Sequence, residues 1–301
     1  MPNWETKESG SSHDQAGEEL ATQVDKQNRK ETEILVQNLG SSEITSHEIL
    51  SDSNQLRSLA QLHESLDWFA RSVLAFSKTL ENKDLPESTL QTLISLAKEF
   101  VELGDVCLLV LHLEVRVHCF FYLLPLWRGP SGGQYFGGPD STDPCNEVIQ
   151  LNRDLLGIEE ALDTSLQPRK IQYIFEGVSH VISAILISSA TSIKKINKNG
   201  IKKMCRNIFS VQQTLTSSIT GRREVALDQA KTFYELMNLS QSELLENVME
   251  RGAVFSQLDY INALQLINRS QQKPDNDGLV KNMDKLAEIL TSMGSRPGVQ
   301  V

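Results

Sequence analysis

The spacing of large apolar residues between positions 56 and 80 constrains the fold of this chain more than any other feature. Eight of them recur three or four residues apart, namely Leu56, Leu59, Leu62, Leu66, Phe69, Val73, Phe76 and Leu80. This spacing places them along one stripe of an α-helix. The positions between them hold charged residues such as Arg57, Glu64 and Asp67, which suit the solvent-facing side. A helix of this kind becomes stable when its apolar stripe packs against another surface.

The same periodicity recurs along the rest of the chain. Pro86 and Pro168 stand where new helices should begin, because proline in the first turn loses no hydrogen bond. Apolar stripes follow, and shorter helical patterns cover residues 201–219, 223–238, 241–251, 256–269 and 277–293. No segment alternates with a period of two, so no strand is predicted. We therefore expect an all-α protein, built as a rod of stacked antiparallel helical bundles.

Composition divides the chain into five segments. Residues 1–51 are acidic and poor in large apolar side chains, which predicts a disordered leader. Residues 128–144 hold five glycines and three prolines and should form a loop. Between and beyond these lie a long helical hairpin (52–127), a C-terminal helical bundle (145–293) and a free tail (294–301).

The segment from Val106 to Trp127 is apolar and long enough to cross a bilayer. However, Glu114 and Arg116 fall near its middle, where a charge costs about 3 kcal/mol on insertion scales. We therefore favour a helix buried inside a protein bundle. A membrane-associated helical protein anchored through residues 106–127 is the alternative function.

No common catalytic or cofactor motif occurs in the sequence, neither a phosphate-binding loop, nor a dinucleotide fingerprint, nor a zinc-protease helix. His112 and His118 lie six residues apart, which is poor geometry for sharing a metal on one helix. We predict no enzyme, no cofactor and no metal site, with an unusual helical enzyme as a third alternative. Four scattered cysteines and no secretory signal indicate a cytoplasmic chain with reduced thiols.

One basic cluster stands out, with no acidic residue inside it: Lys194, Lys195, Lys198, Lys202, Lys203 and Arg206. It could bind anionic lipid head groups or an acidic partner. The simpler interpretation treats Asn199-Gly200 as a helix stop, so that the first lysines close the preceding helix, where cations favour the dipole. The net charge of −10 argues against nucleic-acid binding. The last residues, Val299 to Val301, fit a PDZ-ligand pattern weakly.

Five long irregular strings carry a resemblance to a known family. They are LRSLAQLHESLDWFARSVLAF (56–76), LVLHLEVRVHCFFYLLPL (109–126), LNRDLLGIEEALDTSLQPRKIQYIFEGVSHVIS (151–183), GIKKMCRNIFSVQQTLT (200–216) and VFSQLDYINALQLINRS (254–270). The chain resembles the exocyst complex component 4 family over roughly residues 52–293. The match is to the C-terminal portion of a member, which implies a short isoform or a fragment.

The resemblance implies a non-catalytic subunit of the octameric exocyst, which tethers secretory vesicles to the plasma membrane before fusion. It implies helical-rod architecture, partners among the other exocyst subunits, and a cytoplasmic protein recruited to sites of exocytosis with peripheral membrane contact at most. Residues 1–50 do not resemble the N-terminal coiled-coil region that joins subunits in this family, which leaves assembly of this form open. Trp68 and Phe120 are candidate partner anchors, although burial in the chain's own core is the simpler expectation.

Overall fold

In the computed structural model, the described residues are 11–80, 86–128, 133–136, 143–221 and 224–294. Within these ranges the chain is almost entirely helical, which confirms the all-α prediction. The α-helices in chain order are α1 (Ser11–Leu39), α2 (Ser53–Leu80), α3 (Glu87–Leu123), α4 (Pro125–Arg128), α5 (Asn146–Asp163), α6 (Pro168–Phe175), α7 (Val178–Ser188), α8 (Lys198–Thr214), α9 (Val225–Leu236), α10 (Gln241–Arg251), α11 (Gln257–Ser270) and α12 (Asn276–Gly294). A 3-10 turn (Ser189–Thr191) follows α7, and a π-helical turn (Leu215–Ile219) follows α8.

Two very short strands join distant parts of the chain. β1 (Gln134–Tyr135) pairs in parallel with β2 (Lys195–Ile196), with Tyr135 opposite Ile196. The sequence predicted no strand, and two residues are too few to show a period of two. The pair holds the segment around β1 against the start of α8.

Helices α2 and α3 form an antiparallel hairpin. His63 Nδ1 donates to the Gly104 carbonyl at 2.8 Å, while the Phe69 ring meets the Phe100 ring at 4.8 Å further along. Later residues of α2 therefore meet earlier residues of α3. The buried positions of this contact are mostly small, among them Ala60, Ala70, Ser77, Ala97 and Gly104. Small side chains let the two backbones approach closely.

The main core forms where the C-terminal half of α3 packs against α5, α6 and α7, and it continues through α8 and α9. Its fully buried large side chains include Leu111, Phe120, Leu123, Leu151, Leu155, Leu162, Ile174, Ile182, Phe233 and Tyr234. These residues come from five different helices, so the core connects the hairpin to the rest of the fold.

The structure corrects the expected course of the chain between residues 168 and 200. The sequence predicted one helix ending at Asn199-Gly200, whereas α6 and α7 are separated at Gly177, whose φ is 76°. Asn197 caps the start of α8 instead, accepting a hydrogen bond from the Gly200 backbone nitrogen at 2.7 Å. Gly200 is needed inside the first turn of α8, because a Cβ there would lie 2.2 Å from the Tyr135 carbonyl oxygen.

The structure also differs from the prediction of a disordered leader over residues 1–51. Residues 11–39 form α1, and its second half packs on the core through Leu35, Val36 and Leu39. An ion pair between Glu31 and Arg116 at 2.6 Å and a polar contact between Asp25 and His180 at 3.0 Å add to this packing. The partners that order α1 lie more than 80 residues away, so local composition could not show them. Residues 1–10 lie outside the described ranges, as do parts of the predicted loop and tail.

Candidate functional site

The α2–α3 hairpin exposes many large apolar side chains, and six of them lie in two regular rows. The α2 row is Leu62, Phe69 and Phe76, and the α3 row is Leu96, Leu103 and Val110. Within each row the residues are seven positions apart, so each row follows one side of its helix. Their exposed fractions run from 38 to 56 %. We name these six residues the hairpin face.

The two rows border the same side of the hairpin. Phe69 of the α2 row contacts Phe100 of α3. On α3, the neighbours of Phe100 one turn away are Leu96 and Leu103 on one side, and Ala97 and Gly104 on the other. Because Ala97 and Gly104 are buried while the two leucines are exposed, the leucines lie on the outer side of the contact. The hairpin face is therefore one surface formed by both helices.

The sequence predicted the large apolar stripe of α2 as a core stripe, and the structure corrects this in part. Leu56 and Leu66 are buried, but Leu62, Phe69 and Phe76 are not. Compared with the orientation that the large stripe predicts, α2 is turned by about 100°, the angle between successive residues of a helix. A second stripe of smaller side chains therefore packs against α3. That second stripe was visible in the sequence as His63, Ala70 and Ser77 at intervals of seven residues, a list that includes no large apolar residue.

The two candidate anchors have different positions. Phe120 is completely buried in the core, so it cannot contact a partner. Trp68 is 63 % exposed and lies directly before Phe69 on α2, with the two ring centroids 6.4 Å apart. Of the two, only Trp68 is available to a second protein.

The rim of the hairpin face has an acidic side and an uncharged side. On α3, Glu99 lies three residues from Leu96 and four from Leu103, and Glu102 follows as an exposed residue. Glu102 is partly neutralised by Lys98, whose amine lies 3.5 Å from its carboxylate. On α2, the positions one turn from the exposed row are serines, namely Ser58, Ser65 and Ser72.

A buried arginine fixes the hairpin to α1 and α6. Arg116 is 1 % exposed and donates from Nε to the Glu31 carboxylate at 2.6 Å. Its Nη1 donates to the carbonyls of His112 and Ile174, both at 2.9 Å, and its Nη2 donates to the Glu176 carbonyl. Burial raises the pKa of Glu31, but the contacts from His112 and Arg116 outweigh it, so the net shift is downward. The ionised carboxylate therefore balances the buried guanidinium.

A second buried group joins α3 to α5. His118 is 1 % exposed, and its ring nitrogens lie 3.2 Å from the carboxylates of Glu114 and Asp154. Burial alone lowers the pKa of His118, but the contacts with Asp154 and Glu114 outweigh it and raise the pKa to about 9. Tyr122 donates to Asp154 at 2.7 Å, and the Leu50 backbone nitrogen donates to Glu114 at 2.5 Å. The imidazole is closed to solvent, so this cluster is a structural contact.

No group of three or more His, Cys, Asp or Glu side chains in the described ranges converges to hold a metal ion. The four cysteines are free thiols, and Cys205 is the one that is partly exposed. The third alternative, an unusual helical enzyme, required a polar cavity with perturbed carboxylates. Glu31 and Asp154 are bound to buried cations. Burial and the neighbouring Asp163 and Glu160 raise the pKa of Glu159, which lines a surface cavity together with Asp163.

The basic cluster lies around the start of α8. Lys194 and Lys195 are exposed residues before and in β2, and Lys198 and Lys202 are exposed on the first two turns of α8. Lys203 and Arg206 are half-buried. The sequence interpretation that these lysines close a helix is wrong, because Lys198 opens one. Cations are disfavoured at a helix N-terminus by the dipole, so the dipole does not explain the cluster.

No family model matches the sequence. Curated proteins, however, are similar over most of the chain. Human exocyst complex component 4 is 47 % identical over 260 residues, which cover 80 % of this chain and 26 % of the human protein. The mouse protein of the same name is 46 % identical over 260 residues, and the Drosophila melanogaster protein is 40 % identical over 300 residues, 93 % of this chain.

The chain belongs to the exocyst complex component 4 family. The resemblance of the five strings is thereby confirmed. The chain spans about a quarter to three tenths of the length of these relatives, 26 % of the human protein and 30 % of the Drosophila protein. That the match is to the C-terminal portion stays a prediction, and the PDZ-ligand pattern at residues 299–301 lies outside the described residues.

Within the described ranges, two stretches are long and apolar enough to cross a membrane by length and composition, Glu87–Trp127 and Pro168–Thr191. More than half of the apolar window in each is buried inside the protein. Within the first stretch, Arg116 and His118 pair with groups on α1 and α5. These contacts favour a core helix over the alternative of an anchor through residues 106–127.

Proposed function

We propose that this chain acts as a non-catalytic part of the exocyst, and that it binds helices of other exocyst subunits through the hairpin face. In this role it would contribute to tethering secretory vesicles to the plasma membrane before fusion. The observation that carries the proposal is the pair of exposed apolar rows on α2 and α3, which the hairpin's own packing leaves unused. Contiguous exposed apolar patches are rare on monomeric proteins and mark interaction sites.

The partner segment is an amphipathic helix with apolar residues at heptad spacing. Both rows of the hairpin face repeat every seven residues, so a third helix lying between them would meet apolar side chains at the same interval. The rim adds a charge preference, since Glu99 and Glu102 lie on the α3 side and serines on the α2 side. A helix with lysine or arginine beside its apolar stripe on the α3 side fits this rim.

Three further points of the proposal follow from the family. The curated relatives are named as exocyst components, which supports assembly with other exocyst subunits, residence in the cytoplasm and recruitment to sites of exocytosis. His118 and Arg116 are each 1 % exposed, so their side chains are closed to a substrate, which supports a non-catalytic role for these two groups. Recognition of residues 299–301 by a PDZ domain stays a weaker part of the proposal.

The test is binding of this chain to each of the other exocyst subunits, purified one at a time. The variant combines Phe69→Glu and Phe76→Glu, which place two charges on the α2 row of the hairpin face. Leu258→Glu with Val254→Glu is the matched control, because it also adds two charges at apolar residues that are 65 and 58 % exposed and lie outside the hairpin face. We expect the double variant to lose at least tenfold in affinity for its partner subunit, whereas the control keeps it.

Circular dichroism establishes that each variant is folded. Unchanged affinity of a folded double variant for every subunit that binds the wild-type chain would overturn the role of the hairpin face. A second measurement addresses the rim, where Glu99→Lys with Glu102→Lys should weaken binding and reverse its dependence on salt. An unaltered salt dependence would contradict the basic flank proposed for the partner helix.

A further inference from the structure

The first turns of α8 carry an exposed basic stripe that ends in an aromatic residue. Lys198, Lys202 and Phe209 are separated by four and seven residues, so they follow one side of the helix. All three are exposed, and Phe209 is 62 % exposed. The stripe covers about 17 Å at 1.5 Å per residue.

This stripe has little compensation by acidic groups. Between Glu176 and Glu224 the sequence contains no aspartate or glutamate. The first turn of α8 likewise has no acidic residue, although its N-terminus is the end of the helix that favours anions. In the described part of the chain, no ion pair to a carboxylate is formed by Lys195, Lys198 or Lys202. Glu147 lines the same cavity as Lys203 and offsets its charge, so we leave Lys203 out of the basic surface.

A second exposed aromatic lies among these lysines. Phe136 directly follows β1, and the β1–β2 pair holds it beside the start of α8. It is 53 % exposed and lines a surface cavity of about 520 Å³ together with Lys195 and Lys198. It also lines a neighbouring cavity with Lys203. Phe136 therefore lies between the lysines, and Phe209 lies at the far end of the stripe.

Protein surfaces that bind anionic membranes commonly combine basic residues with exposed aromatic residues. The lysines attract the head groups, and the aromatic rings enter the boundary between head groups and acyl chains. The overall charge of −10 opposes the approach of a nucleic acid and of an anionic membrane alike, so the two exposed rings, which can enter the acyl boundary, are what favours the membrane. An acidic peptide would leave the two exposed rings without a partner.

We propose that a patch made of Lys195, Lys198, Lys202, Phe136 and Phe209 binds the phosphate groups of anionic phospholipids at a membrane surface. We name it the α8 patch. It lies on different elements from the hairpin face, so the protein can contact a membrane and a partner helix independently. Lysine amines would bind the phosphate of a lipid head group and free phosphate in the same way. Only a membrane would also accept the two phenylalanine rings.

The test is co-sedimentation of the full chain with vesicles of phosphatidylcholine alone, or with 30 mol% phosphatidylserine. The variant is Lys198→Gln with Lys202→Gln. The control is Lys281→Gln with Lys285→Gln, two exposed lysines four residues apart on α12, so the charge change and the spacing are the same. We expect binding of the wild-type chain to the phosphatidylserine vesicles, and a reduction of about 30-fold for the α8 variant, since each lysine near an anionic surface contributes about 1 kcal/mol.

A second pair, Phe136→Ser with Phe209→Ser, separates a membrane from a free anion. It should weaken vesicle binding at least fivefold and leave any binding of inorganic phosphate, measured by calorimetry, unchanged. No binding of the wild-type chain to phosphatidylserine vesicles would overturn the proposal, as would equal losses in the α8 variant and its α12 control. Binding of inorganic phosphate with vesicle binding unaffected by the phenylalanine pair would reduce the site to an anion site and refute the membrane assignment. All substituted residues are exposed, and circular dichroism verifies the fold.

Discussion

Replacing Glu31 by alanine removes the anion that balances the buried Arg116. The guanidinium is 1 % exposed and cannot reach water in the native packing, so it would keep its carbonyl contacts but lose its countercharge. Breaking a fully buried ion pair by removing one partner costs about 3–5 kcal/mol. Glu31 itself is 30 % exposed, so water can replace part of its contribution. We therefore expect Glu31→Ala to lower the free energy of unfolding by about 2 kcal/mol.

The loss should concentrate on α1, since Glu31 is the residue that joins this helix to Arg116 and His112. Urea unfolding followed by circular dichroism measures the free energy, and hydrogen exchange over residues 22–39 measures the docking of α1. Glu33→Ala is the control, because Glu33 is an exposed carboxylate on the same helix. Equal urea midpoints and equal exchange rates for the two variants would refute the view that this ion pair orders α1.

Three further predictions concern stability. Folding raises the pKa of His118 to about 9, so its contribution to folding stability is complete below about pH 6.5 and is lost as the pH rises to about 9. The free energy of unfolding of the wild-type chain, measured by urea titration, should fall by about 3 kcal/mol over this pH window. The His118→Asn chain should lack this dependence on pH, and equal dependence in the two chains would contradict the role of His118. Gly200→Ala should cost about 2–3 kcal/mol, because the Cβ would meet the backbone oxygen of Tyr135. Gly157→Ala, with nothing within 4 Å, should be neutral or stabilising, and similar melting temperatures for the two would refute the contact. Phe120→Ala should cost about 3–5 kcal/mol from its fully buried position, and a cost below about 1 kcal/mol would contradict that burial.

The helical nature of the chain followed from periodicity, because each amphipathic stripe is a local property. The orientation of α2 did not follow, since the large stripe and the small stripe both fit a helix. Choosing between them requires knowledge of α3, where Ala97 and Gly104 offer room for close approach. The sequence therefore does not predict the hairpin face as an exposed surface, although it identifies the α2 residues of that face as part of one apolar stripe.

The pair Asn199-Gly200 predicts a helix end, whereas the structure has a helix start there. Glycine after an asparagine commonly ends a helix, but here the capping residue is Asn197 and the helix starts. The cause is Tyr135, which is 65 residues earlier and requires a position without a Cβ. Because the lysines lie at the start of α8 and not at the end of a helix, the helix dipole does not stabilise them there. The proposal for the α8 patch depends on this observation.

The narrow contact inside the α2–α3 hairpin has a consequence for how partners are exchanged. The hairpin closes through small buried positions such as Ala70 and Gly104, and Phe69 of the outer row adds one ring contact to Phe100. A visiting helix can therefore arrive or depart while the two helices keep the same separation and the same internal contacts. In the proposed function, the hairpin face is already formed before the partner helix binds, so association requires little ordering of the backbone. When the partner dissociates, the hairpin keeps its structure and can bind again.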